Sequence, residues 1–260
     1  MRTSLKGRVV WITGASSGIG AITARKLAEK GAIPVLTARS AGKLRDVAAT
    51  IGGEHAAMEM DVTDPDAAAA TAARIHERFG RIDVLLNNAG YGEFIPFADA
   101  PLSHFQDIMD VNYMGAVRCI KAALPYMKAA GDGHIVNVAS IAGKLGTAKS
   151  TAYTASKHAL LGFTNALRQE LAGTGIAVSA INPGPIDTPF FDRADPDGTY
   201  VRNVRWFMLK PDKVADAIVS LMETRKAEKD LPWTASAGAK LVQLFPGLTS
   251  GILGRLTNKK

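Results

Sequence analysis

A glycine-rich turn between an apolar run and a helical segment constrains the fold of this chain more than any other feature. Residues 13–20 read T-G-A-S-S-G-I-G, after the apolar run Val9–Ile12 and before a helical segment over 21–31. Glycines in such a turn let phosphate groups approach the backbone, and the helix N-terminus offers unpaired N–H groups at the positive end of its dipole. The spacing is GxxxGxG rather than GxGxxG. It predicts a dinucleotide pyrophosphate site comprising Gly14, Ser16, Ser17, Gly18, Ile19 and Gly20.

Apolar runs alternate with helical segments along the chain, and they predict strands over 8–13, 33–38, 56–61, 82–87, 133–139 and 176–182. Alternating strands and helices with right-handed crossovers form a parallel sheet with helices on both faces. We therefore expect an α/β fold, a Rossmann-like doubly wound parallel β-sheet in three α/β/α layers. The 260 residues, 47% of them hydrophobic, suit one catalytic domain over 1–226 followed by a C-terminal extension over 227–260.

Local signals predict where individual elements begin. Ser40, the pair Asp64-Pro65 and the pattern Ser103-x-x-Gln106 are typical of helix N-termini. Pro34 has no amide N–H to donate, so we expect it at the very start of the second strand.

Further polar motifs follow the predicted strands. They are Asn88-Ala89-Gly90 after the fourth strand, Ser140 after the fifth, the pattern Tyr153-x-x-x-Lys157, and Pro183-Gly184 with Thr188 after the sixth. On these motifs and the glycine turn, the chain resembles the short-chain dehydrogenase/reductase family from about residue 6 to about residue 222. The resemblance implies hydride transfer between a nicotinamide cofactor and a carbonyl or secondary alcohol, with no metal.

The spacing of Tyr153 and Lys157 places both on one face of a helix. The Lys157 ammonium is expected to lower the pKa of Tyr153, which would act as general acid in reduction and general base in oxidation. Ser140 would donate a hydrogen bond to the substrate oxygen. The resemblance adds Asn112, which would hold a water between Lys157 and bulk solvent, and a contact from Lys157 to the nicotinamide ribose.

Arg39 stands where NAD enzymes usually carry an acidic residue, at the end of the second predicted strand. A guanidinium suits a 2′-phosphate, so we expect NADP(H) to be preferred over NAD(H), with Ser16 and Ser40 as further donors. The resemblance implies that Asp61 and the backbone of Val62 contact adenine, and that Ile186 and Thr188 hold the carboxamide. The residues implied around the cofactor also include Asn88, Ala89, Gly90, Tyr153, Lys157, Pro183 and Gly184.

Apolar side chains near the predicted site indicate a roomy apolar substrate pocket formed by Tyr91, Phe94, Ile141, Ala142, Leu145, Phe190, Phe191, Trp206 and Phe207. Lys144 and Lys149 are expected to be solvated loop residues or to meet an anionic group. A small ketone, a ketosteroid-like compound and a β-ketoacyl thioester all remain open as substrates. A non-catalytic NADPH-binding sensor or scaffold is the competing interpretation, and the presence of both Tyr153 and Lys157 disfavours it.

The formal net charge of +7 comes without a stripe of lysines and arginines, so no nucleic-acid partner is expected. The single cysteine, Cys119, lies in an apolar helical stretch and is interpreted as a buried structural residue. The absence of a signal-peptide pattern and of an 18-residue apolar run favours a cytoplasmic protein.

The C-terminal segment departs from the Val-Asp-Gly-Gly ending of many family members. It resembles the branch with C-terminal extensions, which includes the 11β-hydroxysteroid dehydrogenases and bacterial relatives. Its apolar stripe is expected to cover the substrate mouth or a two-fold partner in a homodimer or homotetramer, or to contact a membrane surface peripherally. The stripe consists of Leu241, Leu244, Phe245, Leu248, Ile252, Leu253 and Leu256.

Overall fold

The computed structural model of the chain describes residues 2–244, and within them it has seven β-strands and ten α-helices. The strands are β1 (Val9–Thr13), β2 (Ile33–Ala38), β3 (Ala56–Glu59), β4 (Val84–Asn87), β5 (Gly133–Val138), β6 (Ile176–Pro183) and β7 (Glu228–Leu231). The helices are α1 (Gly18–Glu29), α2 (Ala41–Ala48), α3 (Pro65–Phe79), α4 (Leu102–Met109), α5 (Gly115–Ala130), α6 (Thr151–Glu170), α7 (Phe190–Ala194), α8 (Thr199–Val204), α9 (Pro211–Thr224) and α10 (Trp233–Leu244). A π-helical turn over Asp110–Met114 joins α4 to α5.

All seven strands are parallel and form one sheet in the order β3-β2-β1-β4-β5-β6-β7. The strand order reverses direction between β1 and β4, and ligands of doubly wound sheets bind at the carboxyl ends of strands around such a switch point. This topology confirms the predicted α/β class and places the glycine turn directly at the switch point.

Helices cover both faces of the sheet because its strands are apolar on both sides. In β1, Val10 and Ile12 pack into one core layer with residues of α1, α2 and α9. Val9 and Trp11 point the other way and pack with residues of α3, α5 and α6. Cys119 belongs to this second layer, and burial raises the pKa of its thiol to about 12.

None of the helices in the described part of the chain is both long and apolar enough to cross a membrane.

The seventh strand is not predicted by the sequence pattern. It pairs with β6 over Ala180–Pro183 and extends the edge of the sheet, and α10 follows it. Three of the four residues in its sequence, Glu-Lys-Asp-Leu, are charged, which is typical of a solvent-exposed loop and gives no apolar pattern that would predict a strand. Residues 228–231 of the predicted C-terminal extension therefore form a strand of this sheet. Of the predicted apolar stripe, the residues from Phe245 to Leu256 lie outside the described residues.

Two of the three helix-start signals are confirmed. Ser40 Oγ accepts from the Lys43 amide at 3.5 Å, and Asp64 Oδ1 accepts from the amides of Asp66 and Ala67 at 2.8 and 3.1 Å. The Ser103 signal is wrong, because α4 already begins at Leu102 after Pro101.

Pro34 is the second residue of β2 rather than the first. The Ile33 amide donates to the carbonyl of Arg8, the residue before β1. Alternate residues of a strand form hydrogen bonds with alternate neighbouring strands in a parallel sheet, so the backbone of position 34 faces β3. The ladder with β3 begins one residue later, at Val35. Pro34 therefore lacks an amide N–H at a position where β3 has no residue paired with it, so no hydrogen bond of the sheet is lost.

Candidate active site

A cavity of about 1030 Å³ opens at the carboxyl ends of β1 to β6, and the sequence-predicted residues converge on it. Those that line it are Gly14, Ser16, Ser17, Gly18, Ile19, Arg39, Ser40, Asp61, Val62, Asn88, Ala89, Gly90, Ser140, Tyr153, Lys157, Pro183, Gly184, Ile186 and Thr188. Gly20 and Asn112 are buried just outside this lining. The volume exceeds that of most sites for a single drug-sized ligand, and it suits a dinucleotide together with a small substrate.

The glycine turn is fastened to the segment after β4 by Asn88. Its Nδ2 donates to the carbonyls of Thr13 and Gly14 at 2.9 and 3.0 Å, and Thr13 Oγ1 accepts from the amides of Asn88 and Ala89. A Cβ at Gly14 would lie 2.8 Å from Ala89 Cα, and one at Gly20 would lie 2.6 Å from the Gly14 carbonyl oxygen. Both glycines are therefore required for this close packing, and Gly14 also has a left-handed φ of +66°.

The groups around the turn fit an anionic dinucleotide. Ser17 precedes α1 in an extended conformation and makes no side-chain cap, so the amides of the first helical turn are left for a ligand. Beyond the end of β2, Arg39, Ser40 and Lys43 line the same cavity. Backbone amides at a helix N-terminus suit a pyrophosphate, and two cations suit a further phosphate. Asp61 lies on the cavity wall and is held there by the amide and hydroxyl of Thr63, both at 2.9 Å.

Ser140, Tyr153 and Lys157 meet at the other end of the cavity. Ser140 Oγ accepts from the Ala142 amide at 3.0 Å and donates to the Pro183 carbonyl at 3.4 Å. The Lys157 ammonium lies 5.7 Å from the centre of the Tyr153 ring and donates to the Val138 carbonyl at 2.9 Å. A phenol, a hydroxyl and an ammonium thus line one end of the cavity, and groups of this kind can donate hydrogen bonds to a carbonyl oxygen.

The expected lowering of the Tyr153 pKa is wrong for the protein without ligand. Burial raises this pKa to about 12, and a hydrogen bond with Ser140 only partly opposes that effect. Burial also lowers the pKa of Lys157 to about 8. Both shifts share one cause, because an apolar surrounding disfavours the charged form of each group. The i,i+4 spacing shows that the two residues share a helix face, but it does not show how strongly both are desolvated.

Asn112 supports this end of the site from the π-helical turn and is 1% exposed. Its Oδ1 accepts from the Tyr91 amide at 2.9 Å, and its Nδ2 donates to the Tyr91 carbonyl at 2.9 Å and to Ser156 Oγ at 3.0 Å. Ser156 in turn donates to the Tyr153 carbonyl at 2.7 Å. Asn112 therefore ties the segment after β4 to the helix that carries Tyr153.

Aromatic side chains cover the space in front of Tyr153. The Phe190 ring lies 5.6 Å from that of Tyr153, and Phe191 and Phe94 each contact Tyr200, with centroids 5.6 and 5.0 Å apart. The predicted pocket residues that line the cavity are Tyr91, Phe94, Ile141, Ala142, Leu145, Phe190 and Phe191. Trp206 and Phe207 are not among the lining residues, and the assignment of these two is wrong: Trp206 is 85% exposed.

The sequence did not single out Lys43, Arg193 or Tyr200, which also line the cavity. The Arg193 guanidinium lies 3.7 Å over the centre of the Tyr91 ring and pairs with Glu93 at 2.5 Å. Burial raises the pKa of Tyr200 to about 12. Arg193 lies in α7 and Tyr200 in α8, so their position downstream of the end of β6 was the available signal. Lys43 lies in the first turn of α2, four residues after Arg39, and this nearness in sequence was the corresponding signal for it.

Comparisons with known proteins agree with this geometry. A family model described as short chain dehydrogenase matches residues 8–198. An uncharacterized oxidoreductase of Staphylococcus haemolyticus is 38% identical over 218 residues, which cover 84% of this chain and 91% of that protein. The ketoacyl reductase HetN of a Nostoc species is 40% identical over 185 residues, covering 70% and 64% of the two chains. The crystal structure of a short chain dehydrogenase/reductase from Burkholderia phymatum in complex with NAD superimposes with a TM-score of 0.88 at 28% identity, covering 95% and 96% of the two chains.

Proposed function

Because the chain belongs to the short-chain dehydrogenase family, we propose that it is an NADP(H)-dependent oxidoreductase that interconverts a carbonyl and a secondary alcohol. One observation carries the proposal: Ser140, Tyr153 and Lys157 converge at one end of a single cavity whose other end holds the glycine turn and Arg39. The cavity therefore joins a proton-donor end to an anion-binding end.

The chain's own residues bind the substrate oxygen and move one proton. The bound nicotinamide supplies a hydride for reduction or accepts one in oxidation. Tyr153, with a pKa near 12, carries its proton at neutral pH and can give it to the carbonyl oxygen as the C–H bond forms. Ser140 donates a hydrogen bond to the same oxygen, and the Lys157 ammonium stabilises the phenolate that Tyr153 becomes. Because Tyr153 is protonated at neutral pH before the reaction, it can act directly as the proton donor in the reduction of a carbonyl.

The NADP(H) preference rests on charge at the end of β2. Arg39 and Lys43 both line the cavity there, and Ser40 lies between them in sequence. A carboxylate at position 39 would repel a 2′-phosphate, whereas a guanidinium can bind it with paired hydrogen bonds. The Burkholderia phymatum structure holds NAD, so cofactor choice is a property to be tested in this chain itself.

The substrate that fits the aromatic wall is an apolar carbonyl compound of small or medium size. Phe94, Phe190, Phe191 and Leu145 offer apolar surface next to Tyr153, and Tyr91 and Tyr200 add phenol groups. A β-ketoacyl thioester is the second candidate, because the Nostoc relative is named a ketoacyl reductase. We further propose that the protein acts in the cytoplasm as a homodimer or homotetramer.

The decisive experiment compares Tyr153→Phe with the unmutated protein. A panel of cyclic ketones and β-ketoacyl thioesters is assayed with NADPH and with NADH, and cofactor dissociation constants are measured by fluorescence. Tyr153→Phe should lose turnover by at least about 100-fold and retain cofactor affinity. Tyr126→Phe is the matched control, since Tyr126 stacks on His76 and neither residue lines the cavity. Cofactor binding without turnover of any compound in the unmutated protein would favour a sensor instead.

A further inference from the structure

The loop that follows Ser140 is joined to the last strand of the sheet by an ionic cluster. The Lys144 ammonium donates to both oxygens of Asp230, at 2.7 and 2.9 Å, and also contacts Glu228. Asn182 Nδ2 donates to Glu228 Oε1 at 2.5 Å and to Asp230 Oδ1 at 2.7 Å. We call Lys144, Asn182, Glu228 and Asp230 the Lys144 cluster.

The four members come from three separate parts of the chain that meet at this edge of the sheet. Lys144 ends the 3₁₀ turn over Ile141–Gly143, and its amide donates to the Ile141 carbonyl at 2.9 Å. Glu228 and Asp230 alternate along β7 and so present their side chains on one face of that strand. The Lys144 side chain is 14% exposed and that of Asp230 is 18% exposed, so this ion pair is largely shielded from solvent, whereas Glu228 is 34% exposed.

The cluster continues into the groups that orient Ser140. Asn182 directly precedes Pro183, and the Pro183 carbonyl accepts from Ser140 Oγ. The Ser140 hydroxyl also accepts from the Ala142 amide, two residues before Lys144. On the far side, the Gly184 amide donates to the Leu231 carbonyl of β7 at 2.6 Å. The two groups that hold the Ser140 hydroxyl therefore lie in segments that Lys144 and β7 fasten together.

The arrangement separates Lys144 from both roles considered for it in the sequence. Two carboxylates surround its ammonium, so it neither projects into solvent nor is available to an anionic substrate. These carboxylates raise the pKa of Lys144 although burial opposes them, so the lysine stays charged over the neutral range. Lys149, by contrast, is exposed.

We propose that Lys144 is a positioning residue that acts through Ser140: its ion pairs with Glu228 and Asp230 fix the turn over 141–143 against β6 and β7, which sets the Ser140 hydroxyl toward the substrate oxygen. This inference rests on the proposed carbonyl–alcohol oxidoreductase activity. It assigns to β7, which lies outside the residues 8–198 that the family model matches, a direct part in building the catalytic end of the cavity.

Kinetics with a substrate found in the panel test this role. Lys144→Met should lower kcat by about 10- to 100-fold, the scale of a misplacement of about 1 Å, and leave the cofactor dissociation constant unchanged. Lys144→Arg should restore most of kcat because it keeps the charge. Lys213→Met, which removes an exposed lysine of α9, is the matched control. An unchanged kcat in Lys144→Met would overturn the proposal.

A double variant tests whether Lys144 acts through Ser140. Ser140→Ala alone should lower kcat, and adding Lys144→Met should cause no further loss, because the group that it positions is already gone. Independent, multiplying losses would overturn the assignment. Asp230→Asn is a smaller change that serves the same comparison if Lys144→Met folds poorly.

Amide exchange gives a readout that needs no turnover. In Lys144→Met, exchange should become faster in peptides covering the Ala142 and Gly184 amides and stay unchanged in peptides of β1. Uniformly faster exchange would indicate general destabilisation and would overturn the proposal, as would no change at Ala142. If the unmutated protein reduces no carbonyl, the proposed function fails on that result alone, whereas exchange still reports whether Lys144 fixes the loop.

Discussion

Lys157→Met should stabilise the folded protein at neutral pH even though it removes the lysine of the proposed active site. The Lys157 side chain is 5% exposed, and burial lowers its pKa from 10.5 to about 8. A lysine whose pKa is lower in the folded state than in the unfolded chain opposes folding while it is charged. The penalty is fully present below the folded pKa and disappears as the pH rises toward the unfolded pKa.

The magnitude follows from that shift. Each unit of pKa difference corresponds to about 1.4 kcal/mol, so the penalty is about 3 kcal/mol at pH 7 and falls to about 1 kcal/mol at pH 10. Methionine has a similar length and carries no charge, and it leaves the Val138 carbonyl without the hydrogen bond from Nζ. That loss costs about 1–3 kcal/mol at every pH. Lys157→Met should therefore be more stable than the unmutated protein by up to about 2 kcal/mol at pH 7 and less stable by up to about 2 kcal/mol at pH 10, so the difference moves by about 2 kcal/mol against the variant.

Urea unfolding at pH 7, 8, 9 and 10, at one fixed protein concentration, measures this difference. Trp11 is fully buried, so its fluorescence reports the loss of the core. Groups that titrate equally in both proteins cancel, and Lys213→Met provides an exposed-lysine control whose difference should not depend on pH. A difference for Lys157→Met that stays constant between pH 7 and pH 10 would refute the reasoning.

Three further predictions concern the cofactor, the aromatic wall and the C-terminal segment. Arg39→Asp should weaken NADPH binding by about one to two decades, since a charge-assisted contact contributes about 1.5–3 kcal/mol; equal catalytic efficiency of the unmutated protein with NADH and NADPH would contradict the assignment. Gly92→Ala should lower kcat/KM roughly tenfold, because its Cβ would lie 2.9 Å from Phe190 Cζ and 3.1 Å from Tyr153 Cδ2; steady-state kinetics with unaltered kcat/KM would exclude this crowding. A chain ending after Pro232 should elute as a monomer in size-exclusion chromatography and change substrate affinity more than NADPH affinity, and retention of both oligomer and kinetics would argue against an interface role for the tail.

The six predicted strands lie where the sequence places them, within about two residues at most ends. Their apolar runs are long and distinct, because parallel strands are buried on both faces. β7 is not predicted because it is an edge strand with residues of both charges. The groups that bind its side chains, such as the Lys144 ammonium, come from distant parts of the chain. The Ser103 signal fails for a local reason: Pro101 takes the N-cap position two residues before Ser103, so α4 begins at Leu102.

The cavity could be predicted from the motifs because most of them directly follow a strand, and parallel strands bring their carboxyl ends together. The electrostatics could not be predicted in the same way. The pKa of Tyr153 depends on how much apolar surface Phe190 and its neighbours place around the phenol, and this is a property of packing. Lys144 illustrates the same limit, because its partners are 84 and 86 positions further along the chain.

The strand that completes the sheet is also among the last parts of the described chain to leave the ribosome. Ser140, Tyr153 and Lys157 are synthesised about 70 residues or more before Glu228 and Asp230. A chain that terminates before residue 228 carries every residue proposed for proton transfer, yet it has no carboxylates for Lys144 and no Leu231 carbonyl for the Gly184 amide. Premature termination before residue 228 would therefore leave the loop after Ser140 without these contacts, and the carbonyl reduction proposed for the protein would report on translation through β7.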